Sequence, residues 1–409
     1  MKNLFQFISL LALFLPALAA QTSLSQAAST QSNFGETKSL SLDSETYKTK
    51  RTVLLKLPAD YERTKIDYPL VYIMDAGDRL KFDFYCQTID NLVENEEMPP
   101  CIIIGVVAAE GRRNYEFTPV STSPKQKDYG GATQFLRYLQ RDLLPYIDGN
   151  YRTSNYRLLI GHSFGALFAA YALVYNPDLF NSVVAISPTL WYNEGLYISK
   201  LDSLAKKCPS PHSFFFAVGD EGETENSLRP SAIQLYENLK ARDCKQFHWQ
   251  LLEMHDKNHR TTPLFAVPEA LAATFKPWKI PLSLQKSIET NTGDPLTLLE
   301  KHADFRKKYY NFSFDWSEND YVYLMALPYL ENKNALKAKA TLQEALSHYP
   351  NSSLILECQG DLAVLQGENE QAKAYYETAL QKLLPKESHF AAAINQKLAK
   401  LSEAAAKRK

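Results

Sequence analysis

The string Gly161-His162-Ser163-Phe164-Gly165 has the Gly-x-Ser-x-Gly form, and its surroundings give it meaning. It follows the run Arg157-Leu158-Leu159-Ile160 and opens the nearly all-apolar stretch Ala166 to Val174, so it reads as strand, tight turn and helix. In so tight a turn the flanking side chains would collide, which calls for glycine at both ends. The turn holds the serine oxygen at a helix N-terminus above a sheet edge. The chemistry expected there is nucleophilic attack by Ser163, with the Phe164 amide donating to the oxyanion.

A serine hydroxyl needs a base. In folds carrying this turn the chain order is serine, acid, histidine. His259 lies between a strand pattern, Phe247 to Met254, and a helical pattern from Pro263, and is the expected base. His255 competes but stands at the strand end. His162 faces into the packed turn, and His212 and His248 flank strands. The acid is expected after the strand pattern Phe214 to Val218, in Gly219-Asp220-Glu221-Gly222-Glu223. Glu221 is favoured over Glu223 and Asp220. The alternative is a solvated acidic loop and a Ser–His dyad. A second oxyanion donor is expected after the strand Pro69 to Met74, in Asp75-Ala76-Gly77-Asp78, with the Gly77 amide as the choice.

The elements that must position these groups alternate. Short apolar runs at Pro69 to Met74, Cys101 to Val107, Arg157 to Ile160, Val183 to Ile186 and Phe214 to Val218 read as strands buried on both faces. Helical patterns lie between them at Leu80 to Val93, Ala132 to Ile147, Ala166 to Val174 and Ala232 to Ala241, with Pro263 to Phe275 last. Two further strands, near Ser39 to Leu42 and at Arg51 to Leu57, come first. The fold class is therefore α/β, of the α/β-hydrolase type, with a mostly parallel central sheet.

After Pro281 the strand patterns stop. Ala326, Ala338, Leu342 and Ala345 are matched by Gly360, Ala372, Tyr376 and Ala379, each 34 residues on. This is the tetratricopeptide period, with small residues where paired helices touch. Two units are too few for a stable stack, so flanking helices must cap them. The expected division is a signal peptide at 1–20, a flexible leader at 21–36, a hydrolase domain at 37–281 and an all-α, tetratricopeptide-like domain at 282–409. The last is expected to carry no catalytic residue and to offer a surface to a protein partner. A chain ending near Pro281 is expected to keep hydrolysis of a small ester if it stays soluble.

Lys2, the apolar stretch Leu4 to Leu15, Pro16 and Ala17-Leu18-Ala19-Ala20 have the three-part order of a secretory signal, too short for a permanent membrane anchor. The expected location is exported, periplasmic or secreted. With 45% apolar and 22% charged residues and a formal net charge of −1, nucleic acid is not an expected partner. Of the five cysteines, Cys208 and Cys244 precede two strands expected to be adjacent and parallel, which would place them within reach of a disulfide. No zinc-type spacing is present, and neither metal nor organic cofactor is expected.

Residues 51 to 279 resemble an esterase family within the α/β hydrolases that includes enterobactin-type siderophore esterases, feruloyl esterases, S-formylglutathione hydrolases and mycolyltransferases. The resemblance rests on Tyr72-Ile73-Met74-Asp75-Ala76-Gly77, Arg113-Asn114-Tyr115-Glu116-Phe117-Thr118-Pro119, the Ser163 turn, Ser187-Pro188-Thr189-Leu190-Trp191, Gly219-Asp220-Glu221 and the His259 segment. It departs at Ala166, where relatives often carry a further glycine. It implies a small-molecule ester substrate and places Arg113 and Trp191 against it. Acyl transfer to an alcohol on the same machinery, or a non-catalytic scaffold recruiting a partner through the helices, are the rival expectations.

Overall fold

The computed structural model describes residues 35–123, 129–208 and 212–406. The expected signal peptide and all but the last two residues of the leader lie outside them. Eight strands form one sheet: β1 (Lys38–Ser44), β2 (Thr49–Lys56), β3 (Tyr68–Ile73), β4 (Ile102–Val106), β5 (Thr153–His162), β6 (Ser182–Ile186), β7 (His212–Gly219) and β8 (Phe247–Met254). Their order across the sheet is β1-β2-β4-β3-β5-β6-β7-β8. β1 and β2 form an antiparallel pair, and β2 joins β4 antiparallel; every pairing from β4 to β8 is parallel.

Strand side chains alternate between faces, so each central strand feeds two cores. Leu70 and Tyr72, with Ile102 and Ile104, belong to the core that also holds residues of helices Phe164–Tyr175 and Gly222–Lys240. Val71, Ile73, Ile103, Leu158 and Ile160 face helices Arg79–Glu94 and Thr262–Phe275. This double burial explains the continuous apolar runs. The parallel strands all end on one edge of the sheet. The loops leaving β3, β4, β5, β7 and β8 there carry Gly77, Ala109, Ser163, Asp220 and His259.

Cys208 and Cys244 form the expected disulfide, with a Cα separation of 5.4 Å, beside the starts of β7 and β8. The pairing of His212 with Phe247 brings those two starts together. Cys86, Cys101 and Cys358 are free and buried.

The C-terminal region is helical, as expected, and docks on the sheet edge opposite the loops that carry Ser163 and His259. Tyr156, near the start of β5, is covered by Tyr310, Phe312 and Phe314. His248 stacks on Tyr309 at 3.7 Å, and the Tyr310 hydroxyl donates to the Thr274 carbonyl at 2.9 Å. Further along, the Lys65 amide donates to the His348 carbonyl at 2.7 Å, and Arg63 donates to the carbonyls of Asn351 and Lys382, each at 2.8 Å. Residues on both sides of Pro281 share one continuous core.

Beyond these contacts, helices Ala335–His348, Ser353–Gln366 and Asn369–Lys382 run in succession, followed by Ala391–Ala406. All eight residues of the 34-residue correspondence are buried. Gly360 shows why small residues sit at those places: a Cβ there would come within 2.3 Å of the Tyr376 ring.

Candidate active site

Ser163 leaves β5 at φ 59°, ψ −119°, a conformation that costs an L-residue energy and turns its side chain out of the sheet. The turn is fixed from both sides. The Ser163 amide donates to the Ile186 carbonyl at 2.9 Å, and the Ser163 carbonyl accepts from the Leu167 amide at 3.0 Å. A Cβ on Gly161 would lie 2.2 Å from the Gly165 carbonyl oxygen, so only glycine fits there. Phe164 is the first residue of its helix, so its amide has no carbonyl partner within that helix. The positive end of the helix dipole adds to its pull on an anion.

Ser163 lines an open cleft of about 460 Å³ together with Asp75, Gly77, Asp78, Lys81, Val107, Ala108, Ala109, Arg113, His162 and His259. Of the residues expected from sequence, Ser163, His259, Gly77 and Arg113 thus come together. Among the described residues Trp191 does not line this cleft; it stands half-exposed at the head of helix Tyr192–Lys207.

The carboxylate that meets His259 is not Glu221. Glu221 sits in extended conformation before helix Gly222–Lys240 and is exposed. What it contributes is its amide, which donates to the Lys257 carbonyl at 3.1 Å. The carboxylate that meets His259 is Glu225, one turn into the helix, with its Oε1 2.7 Å from His259 Nδ1. Glu225 is fully buried, and its Oε2 accepts from the Gly219 amide at 2.7 Å, so both oxygens are engaged. Asp220 pairs instead with His255, Oδ2 to Nδ1, at 2.8 Å. Sequence reasoning missed Glu225 because it began this helix at Ala232. The signal was present: Glu225, Leu228, Ala232, Leu235 and Leu239 form a buried stripe at helical spacing, with a carboxylate standing where a core residue belongs.

The cleft walls are held by two ion pairs. Asp75 accepts from Arg113 in a forked pair, through Nε and, at 2.8 Å, through a terminal nitrogen; Arg113 also donates to the His162 carbonyl at 3.3 Å. These contacts hold the Arg113 side chain at the cleft wall. Behind it, Arg51 and Glu116 are paired at 2.6 Å, both almost fully buried. Arg51 donates to the Val107 carbonyl at 3.2 Å, and Glu116 accepts from the Ala109 amide at 3.1 Å. This pair fixes the loop after β4 that forms one wall. The free thiols offer no rival nucleophile, since burial pushes that of Cys86 up to about 12 and those of Cys101 and Cys358 higher still. Among the described residues no cluster of His, Cys, Asp and Glu is arranged to hold a metal ion.

Residues 44–229 match the family described as "Putative esterase". The chain is 28% identical over 232 residues to a ferri-bacillibactin esterase of Bacillus subtilis, covering 51% of this chain and 80% of that one. It is 36% identical over 95 residues to a siderophore enterobactin esterase of Emericella nidulans, covering 20% of this chain and 31% of that one. In three dimensions it is similar to an IroE-like serine hydrolase from Shewanella oneidensis, with a TM-score of 0.60 and 19% identity, over 85% of this chain and all of that one. At that identity the likeness speaks for the fold. The Ser163 turn, the sheet order and these matches agree: the chain has the α/β-hydrolase fold, carries the esterase-family match over residues 44–229, and is a carboxylic-ester hydrolase.

Proposed function

We propose that the protein hydrolyses carboxylic esters through an acyl-enzyme on Ser163, with His259 as the base and Glu225 as the carboxylate behind it. The observation that carries this reading is the contact of the fully buried Glu225 with His259, which lines one cleft with Ser163. Because Glu225 engages Nδ1, the other nitrogen of His259, Nε2, is left to take the serine proton. Ser163 Oγ attacks the ester carbonyl as Nε2 accepts that proton. The oxyanion is met by the amides of Phe164 and Gly77. The C–O bond then breaks, and the protonated His259 gives its proton to the departing alcohol. Water, deprotonated by His259, repeats the attack and releases the acid.

The substrate class is proposed from the relatives, whose names include a ferri-bacillibactin esterase and siderophore esterases for enterobactin and triacetylfusarinine C. Such a substrate is large and oxygen-rich, which suits an open cleft carrying Arg113 and Lys81 on its walls. Export is proposed from the signal-like first 20 residues and is supported by the Cys208–Cys244 disulfide, which an oxidising compartment favours. Tetratricopeptide-like packing of the C-terminal helices is proposed from the 34-residue repeat and its matching buried positions.

The test is a panel of esters, siderophore-type and simple, assayed with the full chain and with Ser163→Ala, together with labelling by a fluorophosphonate. Hydrolysis and labelling should both vanish in the variant. Retention of activity within about tenfold would contradict the mechanism. Ester formation when an alcohol is added would assign acyl transfer instead.

A further inference from the structure

His259 is held at one point of its ring by Glu225, and a single hydrogen bond leaves a ring free to rock about that bond. A second side chain closes this freedom. The ring of His162 packs against that of His259, with centroids 4.5 Å apart and planes inclined by 35°. The same His162 lies within hydrogen-bond reach of the His259 backbone, Nε2 to carbonyl oxygen, at 3.1 Å. We infer that His162 is a positioning residue for the proposed base: its ring fixes the face of the His259 imidazole, and its Nε2–H anchors the loop that carries it. The inference rests on the Ser163 mechanism above and adds to it the requirement that the residue before the nucleophile supports the base.

Three observations make the support work. His162 is buried at 8% exposure and rigidly placed, because it ends β5 and leads into the Ser163 turn. Burial holds its pKa well below the ordinary histidine value, with His259, Lys81 and Arg113 pushing it the same way. His162 is therefore neutral at working pH. Its Nε2–H can then donate to the carbonyl, and an uncharged aromatic face meets His259 when that ring gains the serine proton. A cation against an aromatic face is attracted to it, whereas a second imidazolium would repel it. Serine and base are thus tied together through one residue: His162 is bonded in sequence to Ser163 and in space to His259.

Three substitutions in the full chain separate the parts. His162→Phe keeps an aromatic face and loses the donor. His162→Gln keeps a donor and loses the ring. His162→Ala loses both. The expected loss of kcat on a small activated ester is about tenfold to a hundredfold for Ala and smaller for Phe and Gln, with KM within about twofold and the rate of fluorophosphonate labelling of Ser163 falling in parallel. Melting temperature is read alongside. If Ala lowers it strongly, the comparison of Phe with Gln decides, and labelling in either variant as slow as in Ala while both melt as wild type would also count against separate ring and donor roles. A rise in KM at unchanged kcat would make His162 part of the substrate wall and overturn the inference. So would kcat and labelling rates equal to wild type in all three variants. Failure of the wild type to label at Ser163 would overturn the mechanism itself, an outcome distinct from either.

Discussion

Two histidines four residues apart on the loop after β8 each meet a carboxylate through Nδ1 at almost the same distance, and the pairs differ sharply in burial. His259 Nδ1 meets Glu225 at 2.7 Å, and His255 Nδ1 meets Asp220 at 2.8 Å. In the first pair the carboxylate is fully covered and the imidazole 24% exposed; in the second they are 30% and 70% exposed. Only the first shares a cleft with Ser163. In a dry setting a carboxylate can hold one tautomer and stabilise the imidazolium that forms, because little water competes for either. In the exposed pair water screens the charge, and the contact works mechanically. Asp220 also accepts from the Asp256 amide at 2.7 Å, and the Lys257 carbonyl accepts from the amides of Asp220 and Glu221, so the outer pair pins the loop whose next turn carries the inner one.

The largest expected break in this comparison is at the two histidines. His259→Ala should lower kcat/KM by about 10⁴-fold or more, and His255→Ala by no more than a few-fold, measured on the same ester. Equal losses would make the outer pair part of the chemistry. Removal of the C-terminal helices should come next, and through stability. A chain ending at Pro281 uncovers Tyr156 and the starts of β3 and β8, so it should melt far lower or precipitate. A chain ending nearer Ser317 keeps Tyr309, Tyr310, Phe312 and Phe314 and should fare better. Thermal melts of both chains check this. The boundary of the catalytic unit would thus fall beyond Pro281, because the aromatic plug under β5 is supplied from after it.

Smaller effects follow. Cys208→Ser with Cys244→Ser opens a loop spanning 36 residues and should cost about 3 kcal/mol in denaturant unfolding, with kcat unchanged, since the bond lies at the edge remote from Ser163. Acid should weaken the fold gradually. His162, His248 and His302 have folded-state pKa values lowered by burial, so the unfolded chain takes up protons first. Their contribution is intact above the ordinary histidine range and is lost as pH falls through it, so melting temperature should decline from pH 7.5 to pH 5. His162→Phe should flatten that decline.

The central strands and the Ser163 turn were legible in the sequence because doubly buried strands are apolar without interruption and because the turn leaves no room for a side chain at Gly161 and little at Gly165. The proposed base, His259, could be read from chain order alone. Glu225 could not, because a loop rich in acids drew attention to exposed carboxylates, whereas the one that pairs with His259 is buried on a helix face. The edge on which the C-terminal helices dock was equally hidden. Their 34-residue repeat specifies contacts between helices, while the aromatic residues that join them to the sheet, Tyr309 to Phe314, lie before the repeat begins.

In the proposed mechanism burial singles out one carboxylate for the base. Glu225→Gln and Glu221→Gln, purified as full chains and compared by kcat/KM at one pH, test it most directly. The account predicts a loss of about 10³- to 10⁴-fold for Glu225→Gln, whose amide cannot hold the required tautomer, and activity within twofold of wild type for Glu221→Gln. A larger loss at Glu221 than at Glu225 would contradict it.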